Sequence, residues 1–208
     1  MNNIAISSAK LADLENAKVA IVDIDLHHGN GTNDMFWKSD EVLYISTHQY
    51  PFYPGSGGIG AIGEGKGKGF TVNIPLPMGS GDSSFEYAFD VLVEPIVQQF
   101  GPSIIMISFG ADPHYMDLLG SLSLSSPGSV GLVRRLMDLS KDLCENRTAI
   151  FLEGGYNVTA QAEIIAGIVA GFKGKDIELS FTEKRDIDCM GKQAVEKVAD
   201  TLKGYWKL

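Results

Sequence analysis

The chain has 208 residues, 44% hydrophobic and 21% charged, with a formal net charge of −9. That length is expected to make a single domain, residues 1–208, with a substantial core, and the composition is that of a soluble globular protein. The acidic balance argues against nucleic acid as a partner, which needs a basic face, and it suits cationic substrates or basic tails.

No apolar run reaches the roughly 20 residues of a membrane-spanning helix, so no membrane partner is expected. "MNNIAISSAK" lacks the basic flank and apolar core of a signal peptide, and the expected location is the cytoplasm. Cys144 and Cys189 form no CxxC pair and read as reduced residues with structural roles.

The first strand is "VAIVDIDL" (19–26). Four more follow: "VLYIST" (42–47), "FTVNIPL" (70–76), "SIIMISF" (103–109) and "TAIFLE" (148–153). Runs 19–26, 103–109 and 148–153 are nearly continuous in apolar residues, the pattern of strands covered on both faces in a parallel sheet. Helices are predicted between them: 83–100 with Asp82 or Ser83 as N-cap and a kink at Pro95, then 129–145, 159–172 and 191–206. Such alternation predicts an α/β fold.

The glycine-rich stretch 50–69, with Pro51 and Pro54, is too long for a simple connection and reads as a functional surface loop. Within it Gly58, Gly60 and Gly63 match G-x-G-x-x-G. No strand immediately precedes the match and no amphipathic helix follows, so nucleotide binding is rejected.

Polar residues crowd the strand ends. In an extended strand Asp23, Asp25 and His27 share a face. "SIIMISFGAD" delivers Asp112 past a second apolar run, and "TAIFLEGGYN" delivers Glu153 and Tyr156 past a third. Ligands of open α/β sheets sit outside the carboxyl ends of strands. Asp25, His27 and Asp112 would form an O,N,O set with a fourth position open, the pattern of catalytic zinc, and iron(II) suits it too. The plain alternative is a hydrogen-bonded core pair beside a glycine turn. Burying that much unpaired charge is too costly for it to prevail.

These segments, "VDIDLHHGNGT", "SFGAD" and "LEGGYN", together with "YPFYPGSG" and "GKGFTVNIPLPMGSGD", resemble the histone deacetylase family, including its acetoin-utilisation and acetylpolyamine-hydrolase relatives. The likeness runs over residues 2–172. It implies an arginase-like three-layer α/β/α sandwich around a parallel sheet. By motif match Asp25, His27 and Asp112 take the zinc positions, and Tyr156 takes that of the tyrosine donating to the substrate carbonyl. Asp23 and Ser46 fall where the family holds a monovalent cation, K+ or Na+, and Asn30 where a polar residue supports a catalytic histidine. Tyr53 falls at the wall of an acyl-lysine tunnel, to which Gly154 and Gly155 also belong. The implied reaction is hydrolysis of an acetylated lysine or related acetylated amine.

The family's acid/base pair is His-His in a "GHHA"-like motif upstream of a segment like "NNIAI". The four histidines here are His27, His28, His48 and His114. The pair and the first strands of the sheet are therefore expected to lie outside these residues, with one flank of the sheet bare. A general acid/base contributes typically about 10²–10⁴ in rate, so the chain alone is expected to be nearly inactive. The alternative is a non-catalytic zinc-binding scaffold, or a subunit of a split enzyme completed by an amino-terminal fragment; that fragment or a second copy of the chain is the expected protein partner. A binuclear manganese ureohydrolase would need a second ligand cluster; "GADPHYMD" offers only Asp112 and Asp117 around His114.

Overall fold

Five apolar runs pair into one parallel sheet, in the computed structural model that describes residues 2–15, 17–186 and 188–208. The side chains of residues 14, 15, 188 and 189, the Cys189 thiol among them, lie outside that description. The strands are β1 (Val19–Asp23), β2 (Val42–Gln49), β3 (Thr71–Leu76), β4 (Ile104–Phe109) and β5 (Thr148–Leu152), in the order β3-β2-β1-β4-β5. Every neighbouring pair is parallel. The first strand of the chain, β1, is thus central, with Asp23 in register with Ser46 on one side and Ser108 on the other.

Alternation along β1 divides the core. Ala20 and Val22 pack with Phe85, Phe89, Leu136, Ile164 and Val195. Those side chains come from α3 (Asp82–Ala88), the π-helical turn after it, α5 (Ser126–Cys144), α6 (Val158–Phe172) and α7 (Asp188–Leu202). Val19 and Ile21 point the other way, against Ile4 and Ala5 of α1 (Asn3–Glu15) and Phe36 beyond α2 (Asn30–Met35). Period-two side chains and helices on both faces give the expected three-layer sandwich. No described helix is long and apolar enough to cross a membrane.

Several local expectations are corrected. The run 19–26 is not one strand. The Asp23 carboxylate accepts the Asp25 N–H and the Asp25 carboxylate the His27 N–H, so side chains take the place of ladder partners at alternate residues beyond Asp23, while the Ile24 N–H still reaches the Ser108 carbonyl. The helix predicted over 83–100 runs continuously through 82–100, with a π-helical turn at Phe89–Val93 before α4 (Glu94–Phe100) where the kink at Pro95 was expected. Pro95 has no N–H to give and its ring clashes with the carbonyl four residues back, which a widened turn relieves. Neither Asp82 nor Ser83 caps α3; Gly81 is the N-cap residue, and the Asp186 carboxylate accepts the Gly81 and Ser83 N–H groups. Helix α5 starts at Ser126, three residues early, because Ser125 Oγ accepts the Gly128 N–H at 3.0 Å. Strand β5, expected to be covered on both faces, is the edge of the sheet among the described residues and half-buried, with Leu152 55% exposed. Cys144 is free and buried.

Candidate metal centre

Three strand ends converge above the middle of the sheet. Past β1, the two side-chain-to-backbone turns carry Asp25 and His27 out of the ladder. Past β4, Gly110 and Ala111 lead to Asp112. Past β5, Gly154 and Gly155 lead to Tyr156. The loops after β4 and β5 are tied by the Ala111 N–H to the Gly154 carbonyl at 2.8 Å.

Asp25, His27 and Asp112 each bring one ligand atom within 4.8 Å of the others. Nδ1 of His27 stands 3.4 Å from Asp25 Oδ1 and 3.4 Å from Asp112 Oδ2. The remaining lone pairs are used to aim the carboxylates. Asp25 Oδ2 accepts the Gly154 N–H at 2.9 Å, and Asp112 Oδ1 accepts the Leu26 N–H at 3.1 Å. Asp112 Oδ2 is buried with no hydrogen-bond partner. A buried carboxylate oxygen left bare beside a second carboxylate and an imidazole nitrogen is what a divalent cation satisfies. The residues therefore fit a metal ion.

Glycine keeps this space open. A Cβ on Gly154 would lie 2.2 Å from Asp112 Oδ2 and 2.7 Å from Asp25 Oδ2. Gly155 sits at φ +133°, where side chains are strained, and its Cβ would meet Ala111.

Electrostatics agree with the geometry. The Asp112 and Asp25 carboxylates raise the His27 pKa to about 9 in the metal-free chain. Burial raises Asp112, and the imidazole opposes that rise. Burial and the Asp25 charge push Asp23 well above the usual carboxylate range, against the donated bond of Tyr44. The Tyr156 hydroxyl is shifted up by partial desolvation and then by Asp112 and Asp25, which keeps it a donor at neutral pH.

Around the centre the other expected residues take distinct places. A cavity of about 520 Å³ is lined by Asp23, Asp25, His27, Asn30, Glu153 and Tyr156. Tyr156 is 58% exposed, and Gly154 also borders the cavity. Tyr53, 76% exposed, meets the His27 ring edge-on at 6.1 Å. Asp23 and Ser46 are side by side across β1 and β2 but outside the Asp25–His27–Asp112 group. Asn30 opens α2 and is exposed.

Several residues escaped the sequence reading. Phe52 stacks on the His27 ring at 5.6 Å. Tyr44 donates to Asp23, Ser108 donates to Glu153 at 3.1 Å, and Asp117 accepts the Tyr156 N–H. Phe52 alone carried a signal, an aromatic beside Tyr53 in a loop of unusual composition. The second cluster a ureohydrolase needs does not form among the described residues. His114 Nδ1 accepts the Met116 N–H, and its ring stacks on Tyr115.

The histone deacetylase domain model matches residues 1–172. A probable deacetylase of Archaeoglobus fulgidus is 38% identical over all of this chain and 61% of its own length. The chloroplastic histone deacetylase 10 of Oryza sativa subsp. japonica is 40% identical over 83% of this chain and 39% of its own. The crystal structure of the HDA15 HD domain superimposes with a TM-score of 0.85 at 34% identity, covering 99% of this chain and 55% of that one. The chain thus spans about two fifths to three fifths of the length of these relatives. A matched domain over most of the chain, a shared sheet and a cluster of ligands at the strand ends lead to one conclusion: this chain belongs to the histone deacetylase family.

Proposed function

We propose that the chain is the metal-binding part of a zinc-dependent deacetylase that hydrolyses acetyl-lysine or a related acetylated amine. The observation that carries this reading is the bare, buried Asp112 Oδ2 beside His27 Nδ1 and Asp25. Zinc suits an O,N,O set with an open position, and iron(II) is the runner-up. When bound, such an ion supplies Lewis acidity and an acidified water. The chain's own residues do the rest. Tyr156, protonated at neutral pH, donates to the oxygen on which charge develops, a contribution that grows in the transition state. Phe52 and Tyr53 flank His27 and offer apolar walls to an acyl chain. Gly154 and Gly155 leave the room the reacting group needs. Asp23 and Ser46 are assigned to a monovalent cation, K+ or Na+, behind the triad.

His27 is consumed as a ligand, His48 and His114 are buried, and His28 borders the cavity but is 4% exposed with Nδ1 bonded to Ser56 Oγ. The proton-transfer groups are therefore assigned to a part of the whole protein outside these residues, upstream or on a partner chain. That observation favours a second reading for the chain by itself: a zinc-binding scaffold or one half of a split deacetylase.

The test is metal analysis with hydrolysis of an acetyl-lysine peptide by the whole protein. One equivalent of zinc, with activity lost to a chelator and restored by zinc, is the expected result. Full activity after complete metal removal overturns the proposal. Bound zinc without turnover supports the scaffold.

A further inference from the structure

Tyr156 has no side-chain anchor: among the described residues nothing hydrogen-bonds its hydroxyl, and the residue is 58% exposed. It also follows Gly155, a residue at φ +133°, on a loop that leaves the half-buried edge strand β5. Something other than packing must set where its hydroxyl sits.

The backbone provides it. Asp117, 6% exposed, sends Oδ2 to the N–H groups of Tyr156 at 2.6 Å and Asn157 at 2.9 Å. Its Oδ1 accepts the Leu119 N–H at 3.0 Å, which fixes the carboxylate plane. Asn157 answers in the other direction: its Nδ2 donates to the Met116 carbonyl at 2.9 Å, while its Oδ1 caps α6 through the Ala160 N–H at 3.0 Å. The loop after β4, which carries Asp112, and the loop after β5, which carries Tyr156, are thereby latched to each other. Charge-assisted bonds of this length are about twice as strong as neutral ones.

We infer that Asp117 is the positioning residue of Tyr156, holding its backbone in register with the Asp25–His27–Asp112 centre. The inference rests on the proposed role of Tyr156 in deacetylation. A displacement of the order of 1 Å in a reacting group costs on the order of 10²-fold in rate, so one latch has a large lever.

The test has two arms. In amide hydrogen exchange on the zinc-loaded chain, the Tyr156 and Asn157 amides should be protected at least about tenfold over an unstructured chain, and Asp117→Asn should remove that protection. Exchange at the unstructured rate in the unmutated chain, or unchanged protection in the variant, overturns the latch. Zinc should stay at one equivalent in the variant; its loss would mean that Asp117 serves the metal instead. In the hydrolysis arm, Asp117→Asn should lower kcat about 10- to 10²-fold with KM within about twofold. In a Tyr156→Phe background it should cost no more than about twofold further. An equal loss in both backgrounds overturns the assignment. If the unmutated whole protein hydrolyses no acetylated amine, the deacetylase reading fails, and the exchange arm alone decides the latch.

Discussion

The buried hydroxyl of Tyr44 donates to Oδ2 of Asp23 at 2.9 Å, across the boundary between β2 and the central strand β1. Asp23 Oδ1 is already used by the Asp25 N–H, so Tyr44 satisfies the oxygen that is left. Tyr44→Phe keeps the ring and orphans that oxygen. A lost partner for a buried acceptor costs about 1–3 kcal/mol. The urea midpoint should fall by the corresponding amount with the slope unchanged; an unaltered midpoint would show that this bond contributes nothing.

The metal assignment predicts two ways to lose the ion. Asp112→Ala removes a ligand, and Gly154→Ala inserts a methyl 2.2 Å from Asp112 Oδ2 without touching any ligand chemically. Both should bind less than stoichiometric zinc by elemental analysis. Both should also lose the stabilisation that added zinc confers, about 4 kcal/mol when zinc is at about 1,000 times its Kd. Stoichiometric zinc in Asp112→Ala would refute the ligand set.

Tyr156 is expected to act on charge and not on the ion. Tyr156→Phe in the whole protein should lower kcat by about 10²–10³, the usual effect of deleting one oxyanion donor. Its zinc content should match that of the unmutated protein. Equal rates for the two proteins would remove the hydroxyl from the mechanism.

His48 sets a pH dependence of stability. Its Nε2 lies 3.0 Å from the Gly57 carbonyl, which can only accept, so Nε2 carries the proton and Nδ1 accepts from Ser46 Oγ at 2.9 Å. Burial, then the nearby His28, hold its pKa down to about 3. The same histidine in the unfolded chain, near its ordinary value of 6.5, takes up the proton first on acidification. Stability is therefore full above about pH 6.5 and lost as pH falls from there toward 3, at about 1.4 kcal/mol per pH unit. His28, shifted down by burial, acts in the same direction. Unfolding free energy followed across this range should fall less steeply in His48→Asn, by close to one proton; identical slopes would show that His48 does not stay neutral.

The convergence of Asp25, His27 and Asp112 was legible because charge at the end of an apolar strand is costly to bury unless something compensates it. Asp25, His27 and Asp112 announced themselves in that way, as did the parallel α/β layering. Tyr44 did not, since inside "VLYIST" it looks like any core aromatic, and its partner is chosen by the β1–β2 register. Asp117 was equally silent, because its meaning depends on a loop about forty residues away. The Asp186 cap of α3 is a longer relation of the same kind. The run "TAIFL" has the composition of a covered strand; only the strand order makes it an edge. Composition reports what a segment can bury, whereas topology decides what it does bury.

The sheet hands its two chemical tasks to supports of unequal stiffness. The strand leading to Asp25 and His27 is clamped by ladders on both sides, so the donors proposed for the cation are held in place before it arrives. The phenol comes from β5, which among the described residues is braced by β4 alone. Loosening of these residues along that margin, by heat or by mutation, should raise hydrogen exchange at the Tyr156 amide well before it releases a bound ion.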